Sequence, residues 1–391
     1  MAAAPPAPPA PLLVALLGTT QTIAWASSYY LPAILARPMA AAAGLPAEAA
    51  FLAVSGALGL AALLGPAVGR AIDRGGGRGV LVSSNLLFAA GLACCAAAQG
   101  PLPLALGWAA IGVAMALGLY EAAFAVIARL AGATARAQIT GITLIAGFAS
   151  TVGWPATATM EAAFGWRGAC LGWAVLHLGI CLPLHLRLLP RTPPPAPPPP
   201  SAPSAEDAGA DRQAMALLGF AFAAIWFTSS AMAMHLPALL TGMGAGLPAA
   251  LAAAALVGPA QVGARVIEFA LMRRVGPLAS ARAAALCHPA GVLLLAAGGA
   301  GLAAPFALLH GAGNGIMTIA KGTLPLVLFG PAGYGRRQGW ISLPARLSQA
   351  TAPVAFALLL GAFGPGALWV TAGLGLAAFA ALLALRPRGR G

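Results

Sequence analysis

The chain has 391 residues, 60% of them hydrophobic and only 7% charged, with a mean hydropathy of +0.88. A soluble domain carries about a quarter charged residues, so this composition excludes an ordinary water-facing surface and points to a polytopic membrane protein. The formal net charge of +13 would suit a nucleic-acid binder, but the placement of the basic residues excludes that reading.

Taken in order, the chain opens on an Ala/Pro stretch, Ala2 to Pro11, with no basic residue and no signal-peptide pattern. Insertion is therefore expected to rely on the first span. Apolar windows of the length needed to cross a bilayer fall roughly at 11–35, 48–69, 79–99, 102–128, 138–161 and 168–189. A second set falls roughly at 213–240, 247–271, 279–299, 303–328, 338–361 and 365–385. The expected fold is an all-α membrane protein with twelve transmembrane helices in two six-helix bundles, 1–190 and 213–391. Between them, 191–212 is rich in proline, which cannot continue a helix, and reads as a cytoplasmic tether.

Alternate connections hold Arg70, Arg74, Arg78, Arg129, Arg136, Arg187, Arg191 and Arg212, then Arg273, Arg274, Arg282, Arg336, Arg337 and the C-terminal arginines. The opposite connections hold Arg37 and Arg167. This asymmetry places both termini in the cytoplasm. Five cysteines, Cys94, Cys95, Cys170, Cys181 and Cys287, lie in or beside apolar runs without CxxC spacing and read as small apolar filling.

Charge within the spans is confined to Glu121, Arg265, Glu268, Lys321 and Arg346, with Glu161 at an end. Each such group costs about 2.5–3.5 kcal/mol at mid-membrane, so these must face the bundle interior and be largely paired. Helical spacing gathers Gln261, Arg265 and Glu268 on one face, His310, Asn314 and Lys321 on another, and Ser342, Arg346 and Gln349 on a third. The first span aligns Gln21, Trp25, Ser28 and, off-axis, Tyr29. Substrate contacts are expected at Gln21, Trp25, Tyr29, Arg265, Asn314, Lys321 and Arg346. Glu121, Glu268 and His310 are the candidates for carrying a proton. Two bland readings stay open: Arg265 and Glu268 as an i, i+3 clamp, and His310 as a hydrogen-bonded helix-packing residue. No metal, nucleophile or phosphate-loop constellation is read, so neither cofactor nor enzymatic activity is expected.

The stretch Gly65 to Arg78, GPAVGRAIDRGGGR, places four charges between two apolar runs. Gly65 and Pro66 are expected to end one helix, and Gly75, Gly76 and Gly77 to turn the chain. Gly69, Asp73, Arg74, Gly76 and Arg78 match a loop signature of the major facilitator superfamily, G-x-x-x-D-R-x-G-[RK]-[RK], with Gly77 where a basic residue is usual. The chain also resembles bacterial members in TIAWASSYYLPAI, GFASTVGWPATA and GAGNGIMTIAKGTLPLVLFGPAGYG. The resemblance implies a monomeric secondary transporter of the bacterial inner membrane, built from parallel repeats, with spans 3, 6, 9 and 12 as outer supports. GPAVGRAID and GPAQVGARVIE echo one another across the halves, as such a repeat requires. Three interior cations against two acids favour a small organic anion such as a monocarboxylate, with a proton as the coupling ion. Export of a hydrophobic or cationic compound is the alternative.

Overall fold

The computed structural model describes residues 9–191, 205–271 and 276–385. Among these there are helices and turns but no strand, and the chain divides into two compact units. Most of the expected tether, 192–204, lies outside the described residues, as do Arg273, Arg274 and the C-terminal arginines.

The first unit contains α1 (Ala10–Ala26), α2 (Pro32–Ala42), α3 (Ala47–Gly75), α4 (Arg78–Ala97), α5 (Pro101–Gly118), α6 (Tyr120–Ala131), α7 (Ala135–Ala146), α8 (Ala149–Leu176) and α9 (Leu182–Leu188). It also takes in the segment Gly330–Trp340. The second unit holds α10 (Ala205–Gly242), α11 (Leu247–Ala255), α12 (Val257–Leu271), α13 (Pro277–Gly298) and α14 (Ala303–Phe329). It ends with α15 (Tyr334–Phe363) from Ile341 onward and α16 (Ala367–Ala384).

Among the described residues eight helical stretches are long and apolar enough to cross a membrane, and three of them run to 54, 53 and 51 residues. Ala10–Ala26 is apolar but shorter. The outward surface is greasy, with Phe164, Leu358, Leu102 and Leu52 exposed, while Gln21, Asn85, His310 and Lys321 are buried. This distribution is the reverse of a soluble protein and fits hydrocarbon as the solvent.

Within each unit the helices pair in the same way. In the first, α4 packs on α5 and on α8, and α3 packs on α5. In the second, α13 packs on α14 and on α16, and α12 packs on α14. The contacts are close because small residues meet backbone: a Cβ at Gly311 would press on Val257 O, and one at Gly315 on Gln261 O. Arginines staple the same helix ends in both units. Arg78, at the start of α4, donates to the Leu186 carbonyl in α9. Arg282, early in α13, donates to the carbonyls of Leu382, Leu383 and Leu385 at 3.0, 3.3 and 2.9 Å. Both satisfy carbonyls that a helix C-terminus leaves open.

Several spans differ in detail from the expectation. The first is broken: α1 ends at Ala26, the chain turns through Ser27–Leu31, and Pro32 starts α2, which runs to Ala42. The fourth breaks at Leu119, whose backbone is extended (φ −84°, ψ −173°). Gly65 and Pro66 do not close a helix. Pro66 sits inside α3, and the helix continues to Gly75, where Gly76 in the left-handed region (φ +75°) turns the chain. A proline removes one backbone bond, which close packing within a membrane bundle tolerates.

Candidate functional site

In the first unit an aromatic cluster forms where α1 and α5 break. Trp25 packs on Tyr29 and Tyr120 with ring centroids 5.4 and 5.1 Å apart, and Tyr30 bridges Tyr29 (5.2 Å) and Trp154 (5.7 Å). The breaks explain the cluster. The turn after Ala26 brings Tyr29 and Tyr30 back beside Trp25, and the extended Leu119 aims Tyr120 at the same place. Gln21 fills the gap in the backbone pairing, its Nε2 donating to the Gly118 carbonyl at 2.6 Å. Its Oε1 and the Trp25 Nε1–H, one helical turn apart, are both buried and meet no hydrogen-bond partner among the described residues. Glu121 follows Tyr120 in the first turn of α6 and is half-buried.

In the second unit four buried charged side chains lie on α12, α14 and α15. Arg265, Lys321, Arg346 and Glu268 are 5, 8, 5 and 7% exposed. Lys321 Nζ lies 4.7 Å from the centre of the Trp226 ring, a cation–π contact. Arg265 reaches from α12 across to α14, with its Nε 3.4 Å from Gly315 O and its Nη2 3.4 Å from Thr318 Oγ1 and 3.5 Å from Gln261 Oε1. Asn314 and Thr318, one turn apart on α14, are only partly buried.

Four histidines form two buried polar chains that sequence reasoning missed. In the first unit, Ser27 Oγ lies 2.8 Å from His177 Nε2, and His177 Nδ1 lies 3.2 Å from Asn85 Oδ1. Asn85 Nδ2 is then 2.7 Å from His185 Nδ1, and His185 Nε2 is 3.2 Å from Thr20 Oγ1. Thr20 spends its only hydroxyl proton on the Leu17 carbonyl, so it must accept from His185 Nε2–H. With that assignment His177 is protonated at Nδ1, and Ser27 turns its hydroxyl proton to His177 Nε2 at 2.8 Å in place of the Ala24 carbonyl at 3.4 Å. A π-helical turn at His177–Cys181 sets the two rings on one side.

The second unit repeats the pattern. Thr371 donates to Leu368 O (2.8 Å) and so accepts from His288 Nε2–H (2.9 Å). His288 Nδ1 is left as an acceptor and takes the proton of His310 Nδ1, 3.0 Å away. His310 Nε2 in turn accepts from Asn314 Nδ2–H at 3.1 Å. These chains tie α4 and the segment around α9 to α1, and α13 and α16 to α14. The spans expected to be plain outer supports therefore carry polar ties to their neighbours. The available signals were the eight-residue spacing of His177 and His185, which puts both on one helix face, and Asn85 and His288 inside apolar runs.

The loop residues also have places. The Asp73 carboxylate accepts from the backbone N–H groups of Gly335 (2.9 Å) and Arg336 (2.8 Å), capping the start of α15. Gly69 lies against the Gly335 backbone, Gly76 turns the chain, Arg78 staples Leu186, and Arg74 is exposed in the last turn of α3. Among the described residues no group of three or more His, Cys, Asp or Glu could hold a metal.

Comparison with known proteins shows what these features belong to. The sequence pattern described as Major Facilitator Superfamily matches residues 16–325. The chain belongs to this superfamily. It is a membrane transporter, of a class that carries solutes by secondary transport and is not enzymatic. No curated protein gives a significant sequence match. Solved structures share the facilitator fold. The proton:xylose symporter XylE, bound to 6-bromo-6-deoxy-D-glucose, is 14% identical with a TM-score of 0.72, covering 95% of this chain and 94% of that one. The human organic anion transporter MFSD10 is 17% identical with a TM-score of 0.72, covering 96% and 100%. The E. coli fucose:proton symporter FucP is 15% identical with a TM-score of 0.73, covering 95% and 97%.

In this facilitator the expected contact residues fall into two groups. Gln21, Trp25 and Tyr29 come together in the first unit. In the second, Arg265 reaches Thr318, one turn from Asn314 on α14, Lys321 lies further along α14 against Trp226, and Arg346 is buried on α15. His310 is hydrogen-bonded on both ring nitrogens, to His288 and Asn314.

Proposed function

We propose that this facilitator carries a small organic anion, a monocarboxylate or close relative, by alternating access in a twelve-span fold of two six-helix halves. The observation that carries this reading is the charge balance of the second unit. Arg265, Lys321 and Arg346 are buried there against one buried acid, Glu268. Buried charge is costly in a membrane, and an excess of buried cations over acids favours an anionic solute. A carboxylate is the organic anion that suits such a cationic wall. Lys321 lies against the Trp226 indole in the same unit. The organic anions of MFSD10 are consistent with the same chemistry, and the proton coupling of XylE and FucP makes Glu121, Glu268 or His310 the carriers to test. The arginine asymmetry supports cytoplasmic termini, and the reading takes 1–190 and 213–391, joined by 191–212, as the halves of a monomeric carrier in a bacterial inner membrane.

The test is uptake of radiolabelled monocarboxylates into liposomes holding the purified protein. Counterflow should be seen with a carboxylate and lost in Lys321→Ala and Arg346→Ala variants that keep the wild-type melting temperature. Transport of cations with no carboxylate flux would end this reading.

A second reading rests on the first unit. Trp25, Tyr29, Tyr30, Tyr120 and Trp154 beside Glu121 make an aromatic surface with an acid at its edge, which suits a hydrophobic cation. Export of such a compound would then depend on Glu121, and Glu121→Gln would abolish it.

A further inference from the structure

The polar chain of the second unit has an open end and a closed end. Thr371 is fully buried and pinned to Leu368 O. Asn314 is partly exposed, on the α14 face shared with Thr318. The direction of every bond is inherited from the closed end. Thr371 has one proton and gives it to a carbonyl, so His288 must present Nε2–H to it and keep Nδ1 bare. His310 must then present Nδ1–H, which leaves its Nε2 bare, and Asn314 must offer an amide N–H there. Rotating the Asn314 amide by half a turn would set Oδ1 against the lone pair of Nε2 and lose the bond. The Oδ1 of Asn314 is thereby directed away from the histidines, and it accepts no hydrogen bond from a described residue. One turn along α14, Thr318 receives the Arg265 guanidinium, so a fixed acceptor and a buried cation stand side by side on the same surface.

Resting on the carboxylate reading, we infer that the substrate is a hydroxy acid. Its carboxylate pairs with the cations of this unit, Arg265 nearest, and its hydroxyl donates to Asn314 Oδ1. Asn314 sets the specificity, and His288 acts as a positioning residue, holding the His310 tautomer that orients the amide. A keto acid offers only acceptors at the same position and is turned away, because two oxygens would face each other. An unsubstituted acid leaves Oδ1 without a donor.

Isothermal titration of the purified full-length protein with lactate, propionate and pyruvate tests this. Lactate should bind about five- to tenfold more tightly than either of the others, the discrimination of one neutral hydrogen bond. Asn314→Leu should bring the three affinities together. His288→Leu should do the same without touching the ligand. Nitrogen-15 NMR of histidine-labelled wild-type protein reads the tautomers independently of any ligand. It should show His288 protonated at Nε2 and His310 at Nδ1, assigned by single substitution among the five histidines. Equal binding of the three acids, or a His310 protonated at Nε2 in the resting protein, would overturn the inference and leave carboxylate transport standing. If no carboxylate binds, the charge-balance reading fails and the hydroxy-acid assignment falls with it.

Discussion

Asp73 and Arg336 are 263 residues apart in sequence, yet the carboxylate of the first accepts the backbone N–H of the second at 2.8 Å, and that of Gly335 at 2.9 Å. The first N–H groups of α15 have no partner inside the helix. A carboxylate there both bonds them and sits well in the field of the helix N-terminus. Replacing Asp73 by Ala should cost about 1–2 kcal/mol. Asn, which retains one acceptor oxygen and no charge, should lose less. Thermal unfolding in detergent orders the three proteins as wild type, then Asp73→Asn, then Asp73→Ala. Equal melting temperatures would mean that the cap contributes nothing.

Close backbone approach accompanies this cap, and it separates two glycines of one helix. A Cβ added to Gly69 would overlap the Gly335 carbonyl, whereas one added to Gly59, also in α3, meets nothing within 4 Å. Gly69→Ala must push the two segments apart, with a loss of about 1–3 kcal/mol. Gly59→Ala keeps its surroundings and removes backbone freedom from the unfolded chain, a gain of about 0.4–1 kcal/mol. Melting temperatures moving in opposite directions would confirm the contrast. A stable Gly69→Ala protein would argue against the close contact.

What the residues reveal in advance depends on whether a signal is carried by one residue type or by a meeting of several. Buried charge is expensive enough that Arg265, Glu268, Lys321 and Arg346 announced themselves as interior, and all four are. The loop residues were legible as a set, but their partner was not, since nothing in GPAVGRAIDRGGGR says that Asp73 caps the helix at Tyr334. The break at Leu119 was hidden because the residue there is an ordinary apolar one. Its stabilising partner, Gln21, belongs to another helix. Pro66 misled in the other direction, since its rule comes from helices in water. The histidine chains were missed because a single His in an apolar run is uninformative. Only the fold places Asn85 between His177 and His185.

Arg282 makes three bonds to the open carbonyls at the end of α16. Its planar fork serves several acceptors at once, which a lysine ammonium on a flexible stem does not reproduce. Arg282→Lys should therefore fall between wild type and Arg282→Ala, with the alanine variant losing about 1–3 kcal/mol, as for bonds to a charged group. Hydrogen exchange at Leu383 and Leu385 should rise with that order while exchange in α5 stays unchanged. Uniform loosening of the whole protein would mean that the staple acts beyond its own helix end.

The final prediction concerns Asn85, whose amide bonds His177 through Oδ1 and His185 through Nδ2, with a further bond to Leu81 O at 2.9 Å. All three side chains are buried. Removing the amide leaves one imidazole N–H without an acceptor and one ring nitrogen without a donor, in a site sealed from water. Each such loss costs about 1–3 kcal/mol, so Asn85→Leu should be destabilised by several kcal/mol although it makes the core more apolar. Replacing Asn85, His177 and His185 together by apolar residues removes every member that would be left unpaired between Ser27 and Thr20. The triple variant should therefore unfold at a higher temperature than Asn85→Leu alone, because a half-satisfied polar chain is worse than an apolar one. If the triple variant is the less stable of the two, the loss comes from packing volume, and the hydrogen bonds of the chain are not what holds α4 to α1 and α9.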